Sequence, residues 1–125
     1  MKNTTEEIQT MLKDYFEVMY TQDLKLFDKV FYEKSVLYTS QEGTVVARPI
    51  AEYREIVAGR KSPKELGSSR EDEILTLDVL SEEMAQAKVR FRLNENVMVD
   101  YLNLLKVNGV WVVASKLYHR AETFK

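Results

Sequence analysis

Two apolar runs joined by Asn-Gly, "DYLNLLKVNGVWVVASKLYH" from Asp100 to His119, constrain this chain more than any other stretch. A two-residue Asn-Gly loop suits a type I′ turn, which needs φ > 0 at both central residues. It predicts an antiparallel hairpin in which Val107 faces Val110. An unbroken ladder then sets Lys106 opposite Trp111, Leu104 opposite Val113, Leu102 opposite Ser115, Asp100 opposite Leu117 and Met98 opposite His119. Because side chains alternate between faces, one face carries Met98, Asp100, Leu102, Leu104, Trp111, Val113, Ser115, Leu117 and His119. That face is expected inward, since the other carries Lys116 and Arg120. In this register Asp100 and His119 are diagonal neighbours, with Cβ atoms roughly 7–8 Å apart or closer.

The hairpin is the end of a strand-rich second half. "AQAKVRFRL" alternates strictly, with Ala85, Ala87, Val89, Phe91 and Leu93 on one face. "EILTLDVL" reads as the strand before it, and "NEN" turns the chain into the hairpin. The first half is helical. Ile8, Met11, Leu12, Tyr15, Phe16, Met19 and Tyr20 form one apolar stripe at helical spacing, with Thr4 and Glu7 as a capping box. A short second helix follows Asp23 as N-cap, and "PIAEYREIVA" reads as a third, closed by Gly59. Between them "SVLYTS" and "TVVA" read as two strands around a turn, whereas "RKSPKELGSS" is an exposed loop. Helices first and antiparallel strands after give an α+β layout, a single domain over 1–125.

Composition narrows the function classes. The chain has no cysteine, hence no disulfide framework or thiolate site, and its one histidine argues against a His-rich metal centre. We therefore expect no metal, and the lack of cysteine fits a reducing cytoplasm. The polar start "MKNTTEEIQT" does not read as a secretory signal, and no run approaches the length of a membrane span. A net charge of −2 with both signs interspersed gives no pull toward phosphate backbones, so neither nucleic acid nor membrane is an expected partner. The loop cations Arg60, Lys61 and Lys64, with Arg90 and Arg92, read as solvated surface, with guidance of an anion as the sharper alternative.

The helix–helix–strand opening "YTQDLKLFDKVFYEKSVLY" and the C-terminal hairpin resemble the nuclear transport factor 2-like superfamily. The hairpin is similar to the ending of its putative lumazine-binding group, through Asp100, Tyr101, Leu102, Leu104, Lys106, Gly109, Trp111, Lys116 and His119. The resemblance implies three helices in the concave face of a curved, mostly antiparallel sheet, a cone with an apolar pocket at one end. It also implies a homodimer formed through the outer sheet face. The superfamily includes isomerases, dehydratases and non-catalytic scaffolds, so the fold leaves function to the site.

Asp100 beside Met98 and Leu102 is the leading candidate, as a desolvated carboxylate suited to acid–base work, and His119 is its natural proton partner. Ser115 is placed to orient a ligand. Ketosteroid isomerase uses a tyrosine of its first helix as an oxyanion donor, which by resemblance singles out Tyr15. The isomerase's first-strand aspartate has no counterpart between Ser35 and Ser40, which weakens a steroid-type proton transfer. Met19, Phe27, Phe31, Tyr38, Tyr53 and Trp111 are expected in the pocket wall, each with core packing as its plain alternative. The expectation is a cofactor-free protein that binds a small apolar or heteroaromatic molecule. A cofactor-independent acid–base enzyme using Asp100 and His119, or a dimeric scaffold, stands as the alternative.

Overall fold

A computed structural model describes residues 3–124. Helix α1 spans Thr4–Thr21 and buries Ile8, Met11, Leu12, Tyr15, Phe16, Val18 and Met19, which is the expected stripe with Val18 added and Tyr20 only half-buried. Its N-cap is Asn3 rather than Thr4. The Asn3 side chain accepts from the Glu6 amide at 2.8 Å, so a residue one position earlier takes the capping role. Helix α2, Leu24–Val30, starts where expected, because Asp23 Oδ1 accepts from the Lys25 and Leu26 amides at 2.9 and 3.2 Å. It ends directly into strand β1, Phe31–Gln41. Strand β2, Thr44–Pro49, returns through a turn in which Glu42 and Gly43 take positive φ. Helix α3 spans Ile50–Gly59 with Pro49 as N-cap, and buries Ile50, Tyr53 and Val57.

The segment after α3 is mostly exposed, yet it is pinned at Ser62 and Pro63, both buried, and by the Lys64 amide donating to the Tyr20 carbonyl at 3.0 Å. Strands β3 (Asp72–Val79), β4 (Met84–Leu93), β5 (Asn96–Val107) and β6 (Val110–Thr123) then follow. The six strands form one curved, unclosed sheet in the order β2-β1-β6-β5-β4-β3. Every neighbouring pair is antiparallel except β1 with β6. The three helices lie on its concave side. Their apolar faces meet Leu37, Ala85, Ala87, Val89, Phe91, Leu102, Leu104, Trp111 and Val113 in one core. The alternating strand β4 therefore points its Ala85–Phe91 face inward, as its pattern requires.

Candidate functional site

The β5–β6 hairpin begins as its turn dictates. Asn108 and Gly109 have φ of 49° and 80°, and Val107 pairs with Val110, Lys106 with Trp111, and Leu104 with Val113. Trp111 faces the core and is 4% exposed. The register then slips. Asn103 pairs with Ser115, which leaves Ala114 as an extra residue on β6. Such a β-bulge re-aims every side chain that follows it. Beyond it Leu102 pairs with Lys116, Tyr101 with Leu117, Asp100 with Tyr118 and Val99 with His119.

This corrects the ladder deduced from the turn alone. Ser115, Leu117 and His119 move to the outer face, while Lys116 and Tyr118 take their places beside Asp100. His119 is exposed and stands opposite Val99, so Asp100 and His119 are not same-face neighbours. Parallel pairing with β1 repeats the assignment, setting Leu37 beside Lys116 on the inner side and Tyr38 beside Leu117 on the outer.

Lys116 is the partner of Asp100. Its Nζ donates to Asp100 Oδ2 at 3.2 Å and to the Tyr15 hydroxyl at 3.0 Å, and that hydroxyl donates to Asp100 Oδ2 at 3.1 Å. Lys116 is 3% exposed, and Asp100 and Tyr15 are fully buried. The ammonium also lies 5.3 Å from the ring centroids of Tyr15 and Tyr53 and 5.8 Å from that of Phe31. Ring faces at this distance add attraction to a desolvated cation. Burial opposes the charge on Lys116, but Tyr15, Asp100 and Tyr53 around it prevail and hold its pKa above the usual lysine value. Burial also pushes the Tyr15 phenol well above its usual range, with Asp100 adding to the rise and Lys116 only partly opposing it. At neutral pH the trio thus contains a fixed ammonium and a neutral phenol, an electrostatic anchor rather than a proton relay. Asp100 keeps one oxygen unused: Oδ1 is buried and has no hydrogen-bond partner among the described residues.

Asp100 and Lys116 form the floor of a cleft of about 480 Å³ between the inner sheet face, α3 and the loop after it. Leu37, Phe91, Leu93, Met98, Tyr53 and Tyr118 supply its apolar surface, and Arg48, Arg60 and Arg120 bring cations to it. The cleft is therefore of mixed character, more polar than the apolar pocket the sequence suggests. Of the residues expected at a site, Asp100, His119, Tyr53 and Met98 border this cleft. Tyr15 supports its floor by hydrogen bonds. Met19, Phe27, Phe31, Leu102 and Trp111 are core residues outside its lining. Tyr38 and Ser115 lie on the outer face, where Ser115 accepts from the Asn103 amide group at 3.0 Å.

Lys116 and Tyr118, beside Asp100, and Arg60, elsewhere in the cleft lining, are the residues that the ladder arithmetic does not bring to the site. Only the motif resemblance marks Lys116 beforehand, and Arg60 is visible merely as one of several loop cations. Among the described residues no group of His, Asp and Glu is arranged to hold a metal ion, and no helix is long and apolar enough to cross a membrane.

Comparison with solved structures finds the same fold in proteins of low sequence identity. A nuclear transport factor 2-like protein of unknown function from Shewanella baltica OS155 aligns with a TM-score of 0.81 at 22% identity, over 98% of this chain and 99% of that one. A ketosteroid isomerase-like protein from Erwinia carotovora atroseptica SCRI1043 aligns with a TM-score of 0.74 at 12% identity, over 98% and 99%. A cystatin-like fold protein from Burkholderia xenovorans LB400 aligns with a TM-score of 0.71 at 12% identity, over 92% and 89%. No curated protein matches the sequence. The family described as putative lumazine-binding matches residues 3–119, nearly the whole chain including the bulged hairpin, and the protein belongs to that family.

Proposed function

We propose that this protein binds a small heteroaromatic molecule in the cleft above Asp100. The observation that carries this reading is that Asp100 borders the cleft while its Oδ1, a buried acceptor, has no partner among the described residues. Leaving such a group unpaired is costly, and a ring N–H from a ligand satisfies it. Tyr53, Phe91 and Tyr118 offer flat surfaces for the ring system around that bond. The volume is of the size that small-molecule sites occupy, with few converging polar groups among apolar ones. The family's description as putative lumazine-binding agrees with a bicyclic lactam, which carries such N–H donors at its edge. An acid–base reaction through Asp100 and His119 is disfavoured: both border the cleft, but Asp100 is held by Lys116 and Tyr15, whereas His119 is exposed and belongs to the other face of its strand.

The test uses lumazine itself. Isothermal titration of the protein should give saturable binding, and excess ligand should raise the melting temperature, since it binds only the folded state. Leu93→Trp, which fills part of the cleft, should remove both effects. Absence of heat and of any melting shift, with lumazine and with other fused-ring lactams, would sink the reading.

A second copy of the chain is the proposed partner, seated on the outer sheet face. There Tyr38, Tyr101 and Leu117 are 37%, 43% and 52% exposed, with Val45 at 70% beside them. A cluster of large apolar groups on one face is the usual mark of an interface.

A further inference from the structure

We infer that the ligand carries an anionic group and that Arg60 is the residue that binds it. This rests on the cleft-binding reading above and goes further, by assigning the ligand's charge and the side chain that selects it. The charges around the cleft do not balance. Its lining holds four permanent cations, Arg48, Arg60, Lys116 and Arg120, against the single carboxylate of Asp100. Lys116 is paired with Asp100 at 3.2 Å, and Arg48 with Glu52 at 3.4 Å, though Arg48 Nε makes no hydrogen bond among the described residues. Arg60 and Arg120 have no carboxylate within salt-bridge distance among the described residues. The cleft is left with an excess of positive charge although the whole chain carries −2.

The two free guanidiniums differ in how they are held. Arg120 is exposed near the end of β6. Arg60 is partly buried and oriented: Nε donates to Gln22 Oε1 at 3.2 Å and one terminal nitrogen donates to the Tyr53 hydroxyl at 3.3 Å. Its guanidinium also lies 5.7 Å from the Tyr53 ring centroid. Gln22, which holds it, is itself buried and sits in the left-handed conformation that ends α1. An arginine fixed by neutral partners spends two donor directions on the protein and retains others for a carboxylate or phosphate. Fixing it beforehand also lowers the entropy lost on binding.

Tyr53 ties this cation to the floor. Lys116 approaches the same ring at 5.3 Å, so Lys116 Nζ and the Arg60 guanidinium carbon lie no farther apart than the sum of the two centroid distances, about 11 Å. Asp100, Tyr53 and Arg60 line the same cleft, so a bicyclic ring seated beside Asp100 and Tyr53 can present an acidic substituent to Arg60 without leaving it. The assigned ligand is a planar bicycle with an N–H edge at one end and an anionic group at the other.

The experiment compares three probes by isothermal titration: lumazine-6-carboxylate, the neutral 6-hydroxymethyllumazine, and 1-naphthoate, which has the charge but no lactam edge. Each is titrated into the parent, Arg60→Gln, Arg60→Lys and Arg120→Gln, with melting temperatures as the check on folding. In the parent, lumazine-6-carboxylate should bind about tenfold or more tighter than the alcohol, the scale of one charge-assisted hydrogen bond. That preference should collapse in Arg60→Gln, return in part in Arg60→Lys, and persist in Arg120→Gln. Equal affinity for acid and alcohol in the parent would overturn the charge assignment while leaving lactam binding intact. A preference that survives Arg60→Gln would overturn Arg60 as its source. If 1-naphthoate binds through Arg60 and neither lumazine binds, the anion site stands and the heteroaromatic reading falls. If no probe binds, both fall.

Discussion

At the scale of the residue, Lys116 and Asp100 are the two groups whose placement most needs explaining. Burying an ion pair gives up several kcal/mol of hydration per ion, which is repaid only when the pair is close and its remaining donors and acceptors are engaged. Here Tyr15 bridges the pair and three aromatic rings surround the ammonium, but Asp100 Oδ1 stays open. The pair is thus nearly, not fully, satisfied, a state more easily explained by binding than by stability. Lys116→Met should destabilise the fold by about 3–5 kcal/mol in urea titrations, because it strands the Asp100 charge in the core. Replacing both, Lys116→Met with Asp100→Leu, should recover most of that loss. A double variant no more stable than the worse single one would show that the two charges do not depend on each other. The sequence makes Asp100 visible as an inward carboxylate. It hides the partner, because a lysine in an apolar strand reads as a solvent-facing residue until something turns it inward.

At the scale of the element, what turns it is the bulge at Ala114. Helices α1 and α2 and the hairpin turn are legible because their signals are local: apolar spacing, an Asp cap, and an Asn-Gly pair. A bulge is settled by pairing with two neighbouring strands, and β6 has β5 on one side and β1 on the other. Its ladder with β1 is irregular over the same stretch, between the Phe31 and Val36 pairings. No residue type announces that in one dimension, so arithmetic from the turn holds for the first rungs and fails after Val113. The cap of α2 shows the opposite case, in which one residue controls a piece of the site. Asp23 satisfies two free amides of a helix only seven residues long, and that helix sets Phe27 against Phe31 and Tyr53, with ring centroids 4.6 and 5.8 Å away. Asp23→Ala should cost about 1 kcal/mol by urea denaturation, and Asp23→Asn should restore nearly all of it. Equal stability of all three proteins would mean that tertiary packing alone fixes α2.

At the scale of the molecule, the strand order decides which face does what. Setting β6 beside β1 in parallel brings the inner residues Leu37, Lys116 and Tyr118 to one wall of the cleft, and leaves Tyr38 and Leu117 side by side on the other surface. The α+β layout follows from patterning and the curved sheet around the helices from the family resemblance, whereas the mutual order of the strands is seen only in the structure. The bulge is also what makes the outer surface apolar in its middle, since without it Leu117 would face the helices. The proposed ligand cleft and the proposed dimer face are therefore two consequences of one extra residue, on opposite sides of a single sheet. They should respond separately to mutation. Sedimentation velocity at about 10 µM, within the range where stable interfaces persist, should find the parent as a dimer. Leu117→Glu combined with Tyr101→Lys should give a monomer, because charges desolvated at the core of an interface are costly. That monomer should still bind lumazine, as neither residue borders the cleft. A parent that sediments as a monomer would remove the second copy as the partner of this face, and would leave the cleft's own chemistry untouched.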